Sequence, residues 1–175
     1  MYRKTNETEV EVKLGGKTSI DTGVGFYDHM LELFAFRSGI GLEIRAKGDL
    51  QVDSHHTIED VGITLGLAVS EMLGDKSAIA RYGSARVPMD EALAQVDVDI
   101  SNRPYLVFNA DVKEEMAEEF FRALAINAGL TLHINLLYGK NDHHKCEAIF
   151  KAFGLAFGQA CQKTGGGTPS TKGVL

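Results

Sequence analysis

Two segments of the chain hold the residue types from which a metal centre is made: Asp53-Ser54-His55-His56-Thr57-Ile58-Glu59 and Asn141-Asp142-His143-His144-Lys145-Cys146-Glu147. On a helix, His55 and Glu59 stand one turn apart on the same face, while the adjacent His56 points about 100° away. One short segment can therefore address two neighbouring ions. Imidazole with carboxylate suits first-row divalent cations, and using the pattern twice supplies four histidines and two glutamates for a dinuclear site. The order His-His-x-x-Glu is not that of the zinc proteases, so their mechanism does not transfer. A single His-His pair at a helix start is more often capped or solvated than metal-bound.

The second copy changes that weighting. Sliding the chain along itself by 88 positions superposes Val10 on Val98, Gly41 on Gly129, His55 on His143, His56 on His144, Glu59 on Glu147 and Gly66 on Gly154 without a gap. An internal duplication, with each half giving half of a site, accounts for this. Each half also carries one histidine of its own, His29 in the first and His133 in the second. Position 45, which corresponds to His133, is Arg, and position 117, which corresponds to His29, is Ala. Eight candidate ligands result: His29, His55, His56, Glu59, His133, His143, His144 and Glu147.

The elements that must position them follow from hydrophobic periodicity. Residues 5–14 alternate as a half-buried strand, and Gly15-Gly16 turns the chain into a short strand near residues 18–20. Phe26, Met30, Leu33 and Phe34 recur at helical spacing until Gly39 stops the run. Residues 41–47 read as a strand, with 50–52 as a short extension. Asp53 or Ser54 then caps a helix reaching Leu73, with Ile58, Val61, Leu65, Ala68, Val69 and Met72 inward. In the second half, residues 85–89, 92–100, 105–108 and 130–137 read as strands. Residues 114–128 and 142–162 read as helices. Both ligand-bearing turns lie where a strand ends and a helix begins.

Arg81 and Arg103 each sit in a turn at an element end, where a guanidinium can fork onto phosphate; for either alone, a solvated surface arginine is the commoner outcome. The terminal stretch 165–175 is equally open. It reads as a frayed end, or as a Gly, Ser, Thr and Lys segment able to approach a phosphate with its backbone. It lacks the Walker order.

Over 175 residues the chain is long enough for a sizeable core, and the halves 1–86 and 87–175 are expected to form one unit. A formal charge of -6 argues against a nucleic-acid surface, so a protein handling an anion must gather its cations locally. No stretch suits a signal peptide or a membrane span, which makes the cytoplasm the expected location, with no membrane partner. Cys146 and Cys161 fall roughly 22 Å apart on one helix, beyond disulfide reach, and are expected to stay reduced.

The whole length closely resembles the imidazoleglycerol-phosphate dehydratase family of histidine biosynthesis. The resemblance rests on Glu7-Thr8, Phe26-Tyr27-Asp28-His29-Met30-Leu31, His55-His56-Thr57-Ile58-Glu59-Asp60, Arg81-Tyr82-Gly83 and Pro88-Met89-Asp90-Glu91-Ala92. It continues in Arg103-Pro104-Tyr105, Thr131-Leu132-His133-Ile134, His143-His144 with Glu147-Ala148, Phe150-Lys151-Ala152-Phe153, and Ser170-Thr171-Lys172-Gly173-Val174-Leu175. The resemblance implies an α+β fold of two similar halves of the ribosomal protein S5 domain 2-like type, related by a pseudo-twofold axis. It also implies two Mn²⁺ ions per active site, held between subunits of a large homo-oligomer of about 24 copies. The eight ligands carry over to the residues named above. Helix geometry would then pair His55 with Glu59 on one ion and His143 with Glu147 on the other, with His56 and His144 each crossing to the opposite ion.

Substrate and phosphate contacts implied by the resemblance are Glu7, Arg81, Arg103, Lys151, Ser170, Thr171 and Lys172. Two departures stand out: a shorter segment between Asn109 and Phe120, and Arg37 where the family often has His. The implied reaction removes water from D-erythro-imidazole glycerol phosphate to give imidazole acetol phosphate, with the dimetal site stabilising an imidazolate. Glu7, not among the ligands, is the expected base. No phosphatase segment precedes Met1, which suggests a stand-alone dehydratase. Two other classes remain alongside. A dinuclear metallohydrolase of phosphate esters would lean on bridging carboxylates more than imidazole, and a structural metal-binding protein would leave Arg103 and the terminal segment without a purpose.

Overall fold

The computed structural model describes residues 1–114, 116–173 and 175. The first half runs β1 (Tyr2–Lys4), β2 (Thr8–Leu14), β3 (Ser19–Asp21), α1 (Gly25–Ser38), β4 (Leu42–Gly48) and α2 (His55–Leu73). The second repeats that order as β5 (Tyr82–Met89), β6 (Ala92–Asp99), β7 (Tyr105–Asn109), α3 (Met116–Ala128), β8 (Thr131–Tyr138) and α4 (Asp142–Ala160). The sheets share one topology, β1-β2-β4-β3 and β5-β6-β8-β7. In both, the third strand pairs parallel with the fourth. A parallel pair needs a crossover, which α1 and α3 supply. The duplication is thus visible in the fold, two similar four-stranded α+β halves.

Each sheet buries one face. In β6, Ala92, Ala94, Val96 and Val98 are buried while Leu93, Gln95, Asp97 and Asp99 alternate with them. The helices lie between the sheets: α2 packs on β2 and against α3, and α4 packs on β5 and β6 and against α1. One core results, in which Tyr27, Phe34, Phe120, Phe121, Phe150, Phe153 and Phe157 from both halves stack and abut.

The helix pairs approach closely at glycine. A Cβ on Gly66 would lie 2.8 Å from the Leu124 carbonyl oxygen of α3, and one on its repeat partner Gly154 would lie 2.8 Å from the Phe34 carbonyl oxygen of α1. Alanine at an exposed helix position would gain about 1 kcal/mol over glycine, whereas overpacking a filled contact costs about 1–3 kcal/mol. The backbone contact cannot rotate away, so the penalty wins. Gly154→Ala is expected to lower stability by about 1–2 kcal/mol in denaturant unfolding. A neutral or stabilising result would mean the α1–α4 contact yields without cost.

Several local expectations change. Residues 50–52 form a turn, in which the Val52 N–H donates to the Asp49 carbonyl at 2.8 Å, because the chain must reverse at once to start α2. Met72 is 40 % exposed and Leu73 takes the buried place at the helix end. β5 begins at Tyr82, directly after Arg81, so the Arg81-Tyr82-Gly83 motif opens a strand. Of the residues expected to start α3, Glu114 precedes the helix and Glu115 lies outside the described residues. Among the described residues, no helix is long and apolar enough to cross a membrane.

Candidate functional site

Both histidine pairs open a helix whose first turn is tied down. The Asn141 side chain accepts from the N–H groups of His143 at 2.9 Å and His144 at 3.3 Å, capping α4. In α2 the corresponding bond runs from the His55 N–H to Asp53 at 2.8 Å. Ser54 makes no side-chain cap. The first histidine of each pair meets the glutamate of its own helix: His143 Nε2 lies 3.0 Å from Glu147 Oε1, and His55 Nε2 lies 3.7 Å from Glu59 Oε2. The second histidine turns aside in both halves, His56 to Asp49 and Glu7, His144 to Glu91.

Packing of α1 on α4 adds His29 from the other half. Its Nε2 lies 3.3 Å from Glu147 Oε1, and its ring stacks on His143 at 5.7 Å between centroids. The donor atoms of His29, His143 and Glu147 fall within 4.8 Å of one another, close enough for one cation to take all three. Lys151 pairs with the other oxygen, Glu147 Oε2, and also reaches the Met89 sulfur at 3.1 Å. Burial pushes the Glu147 carboxyl up, but Lys151, His29 and His143 outweigh it and hold it down at about 2. Glu147 is therefore an anion with one oxygen facing two imidazoles, a donor set suited to a divalent first-row metal. Asp49 and Glu91 hydrogen-bond His56 and His144 and raise both imidazoles above their usual range.

A second donor group joins Glu7, Asp49 and His56. Glu7 sits in a tight turn where Thr5 Oγ1 accepts from the N–H groups of Glu7 at 3.1 Å and Thr8 at 3.0 Å. Its carboxylate, 3.8 Å from His56 Nδ1, makes no hydrogen bond among the described residues. His133 stands exposed on β8, level with Asp97 of β6 and Val107 of β7, and joins neither group among the described residues.

A cleft of about 590 Å³ is lined by Arg81, Tyr82, Arg103, Pro169, Ser170, Thr171 and Lys172. Arg81 is buried rather than solvated. Its Nε and Nη2 reach Asp99 at 2.7 and 3.2 Å, Nη1 donates to the Pro169 carbonyl at 2.8 Å, and the guanidinium lies over Tyr82 at 4.8 Å. Asp99 raises its pKa further above the ordinary arginine value. Arg81 thus pins the terminal segment, bringing Ser170, Thr171 and Lys172 beside the more exposed Arg103. Three cations against one carboxylate make this a local positive site on an acidic chain. Lys151 lies apart from it, beside Glu147.

Sequence reasoning missed Asp49, Glu91 and Asp99 as partners of candidate site residues. Glu91 lay between the strands read at residues 85–89 and 92–100, so its place at a hairpin tip followed from the sequence, but its partner His144 did not. Cys146 is buried in the core, and burial pushes its thiol up to about 12.

Residues 22–157 match the family described as imidazoleglycerol-phosphate dehydratase. A protein of that name from Acetivibrio thermocellus is 54% identical over 187 aligned positions, covering 99% of this chain and 96% of the relative. Another, from Clostridium botulinum strain Hall, is 54% identical, covering 100% and 96%. Among solved structures, imidazoleglycerol-phosphate dehydratase from Staphylococcus aureus N315 superposes with a TM-score of 0.84 at 47% identity, covering 94% of this chain and 98% of that one. The Pyrococcus furiosus structure, in complex with (S)-C348, superposes with a TM-score of 0.91 at 42% identity over 100% of both chains. With matches this extensive in sequence and in fold, the chain belongs to the imidazoleglycerol-phosphate dehydratase family, whose members are metal-dependent enzymes acting on a small molecule.

Proposed function

We propose that this protein removes water from D-erythro-imidazole glycerol phosphate to give imidazole acetol phosphate, a step of histidine biosynthesis, and that it does so with two Mn²⁺ ions per site. The observation that carries this reading is the union of His29, His143 and Glu147 across the two halves, in a chain of this family that also builds a cationic cleft. His29, His143 and Glu147 would hold a Mn²⁺ ion, which would supply Lewis acidity that stabilises negative charge on the substrate ring. The protein's own groups do the rest. Arg103, Lys172 and the Ser170 and Thr171 hydroxyls hold the phosphate, while Arg81 fixes the segment on which three of them lie. Glu7 takes the carbon-bound proton with a carboxylate that has no competing hydrogen bond among the described residues. Lys151 keeps Glu147 oriented by occupying its second oxygen.

The eight ligands fall into separate groups within one chain. His29, His143 and Glu147 meet, His55 and Glu59 meet, and His56, His144 and His133 face elsewhere. That division favours sites completed by other copies, in a homo-oligomer of about 24 subunits. We read residues 1–175 as one unit of two halves, 1–86 and 87–175, on the strength of their common core.

The test is turnover of imidazole glycerol phosphate by metal-stripped protein before and after Mn²⁺ addition, with assembly size followed in parallel. Activity should appear only with Mn²⁺, and the particle should grow as ligands are shared between copies. Mn²⁺ uptake without dehydration would overturn the reaction, and full activity of stripped protein would overturn the metal.

A further inference from the structure

In each half the second histidine of the pair is held through Nδ1 by a carboxylate outside the candidate ligand set. His56 Nδ1 lies 3.0 Å from Asp49 Oδ2, and His144 Nδ1 lies 2.7 Å from Glu91 Oε2. The two carboxylates do not correspond in the duplication. Shifted by 88 positions, Asp49 falls on Leu137 and Glu91 falls on Arg3. The halves therefore share the contact and not the residue.

A neutral imidazole carries one N–H, and a carboxylate can only accept, so this contact puts the proton on Nδ1 and leaves the lone pair on Nε2. Without the carboxylate both tautomers are open. Glu91 is well placed to impose the choice. It sits at the tip of the two-residue hairpin joining β5 to β6, where Asp90 has a φ of 46°. Its Oε1 accepts from the backbone N–H groups of Lys140 at 3.1 Å and Asn141 at 2.7 Å. One carboxylate thus binds the hairpin to the start of α4 and aims His144 at the same time. Asp90 Oδ2, 3.8 Å from His144 Nε2, is too far to hydrogen-bond that nitrogen. In the first half, Asp49 directly follows β4, and Glu7 is 3.8 Å from His56 Nδ1, leaving Asp49 as the sole close partner of that nitrogen among the described residues.

We infer that Asp49 and Glu91 are positioning residues that hold His56 and His144 as Nδ1–H tautomers and so present Nε2 of each ring to a metal ion. The inference rests on the metal-ligand reading of His56 and His144 given above. Partners of this kind act through the ligand, and their loss typically weakens metal affinity about 10–100-fold.

The test is Mn²⁺ binding to the metal-stripped full-length protein, read from the free-ion electron paramagnetic resonance signal at about pH 8, above the ordinary imidazole range. Glu91→Ala and Asp49→Ala should each raise the Mn²⁺ dissociation constant about 10–100-fold without changing the number of ions bound. Glu91→Gln and Asp49→Asn should recover much of the loss, because an amide oxygen still accepts from Nδ1–H. Asp49→Ala serves independently where Glu91→Ala disturbs the hairpin. Unchanged affinity in the alanine variants would overturn the inference. A drop in ions bound with Asp49→Asn would also overturn it, making Asp49 a ligand within the Glu7, Asp49 and His56 group. Wild-type protein that binds no Mn²⁺ would remove the metal reading and the inference together.

Discussion

Glu7→Gln should lower kcat by about 10²–10⁴-fold, the range a positioned general base contributes, while bound Mn²⁺ stays at the wild-type level. The amide keeps the shape of the side chain and removes its basicity. Little else should change, since the turn around Glu7 is held by Thr5 Oγ1 and backbone groups rather than by the carboxylate. Metal analysis beside steady-state kinetics separates two roles that the geometry brings close together, because Glu7 also shares a donor group with Asp49 and His56. Turnover lost with metal retained identifies the base. Turnover lost together with metal would make Glu7 a ligand, and near-normal turnover would remove it from the reaction.

The second large effect separates the two arginines of the cationic cleft. Arg103 has a 66% exposed side chain, a 3.8 Å approach to Asp99 and a 3.3 Å bond donated to the Ser101 carbonyl, so Arg103→Ala should change unfolding little. A charge-assisted bond to phosphate is worth about 1.5–3 kcal/mol, so KM should rise about 10–100-fold with a smaller change in kcat. Arg81→Ala should do more. It strips Asp99 of its bidentate partner and frees the Pro169 carbonyl, so stability should fall by about 2–3 kcal/mol as KM rises. Steady-state kinetics with denaturant unfolding reads both. Equal stability loss in the two variants would contradict the division between a strut and a binding group.

The architecture was largely legible in the chain. Alternation along β2 and β6, helical spacing from Phe26 to Phe34, and the shift of 88 positions mark strands, helices and a repeated half, while the α+β arrangement of those halves is what the family resemblance implies. Boundaries were less legible. Residues 50–52 carry Leu and Val but form a turn, because the short path from β4 to α2 overrides β propensity there.

What the sequence determined by itself about the candidate site is what helix pitch dictates. Residues four apart on one helix face the same way, so His143 with Glu147 and His55 with Glu59 follow from spacing alone. Contacts set by packing could not be read that way. His29 reaches Glu147 across 118 positions only because α1 lies on α4, where glycine lets the backbones approach. Arg81 became a buried strut only because β6 brings Asp99 beside it and the terminal segment returns to the same place. Likewise Asp49 and Glu91 found their histidines through a turn and a hairpin tip. Local spacing constrains only the neighbours within a turn or a pleat; partners far apart in the chain are chosen by how the halves close around their shared core.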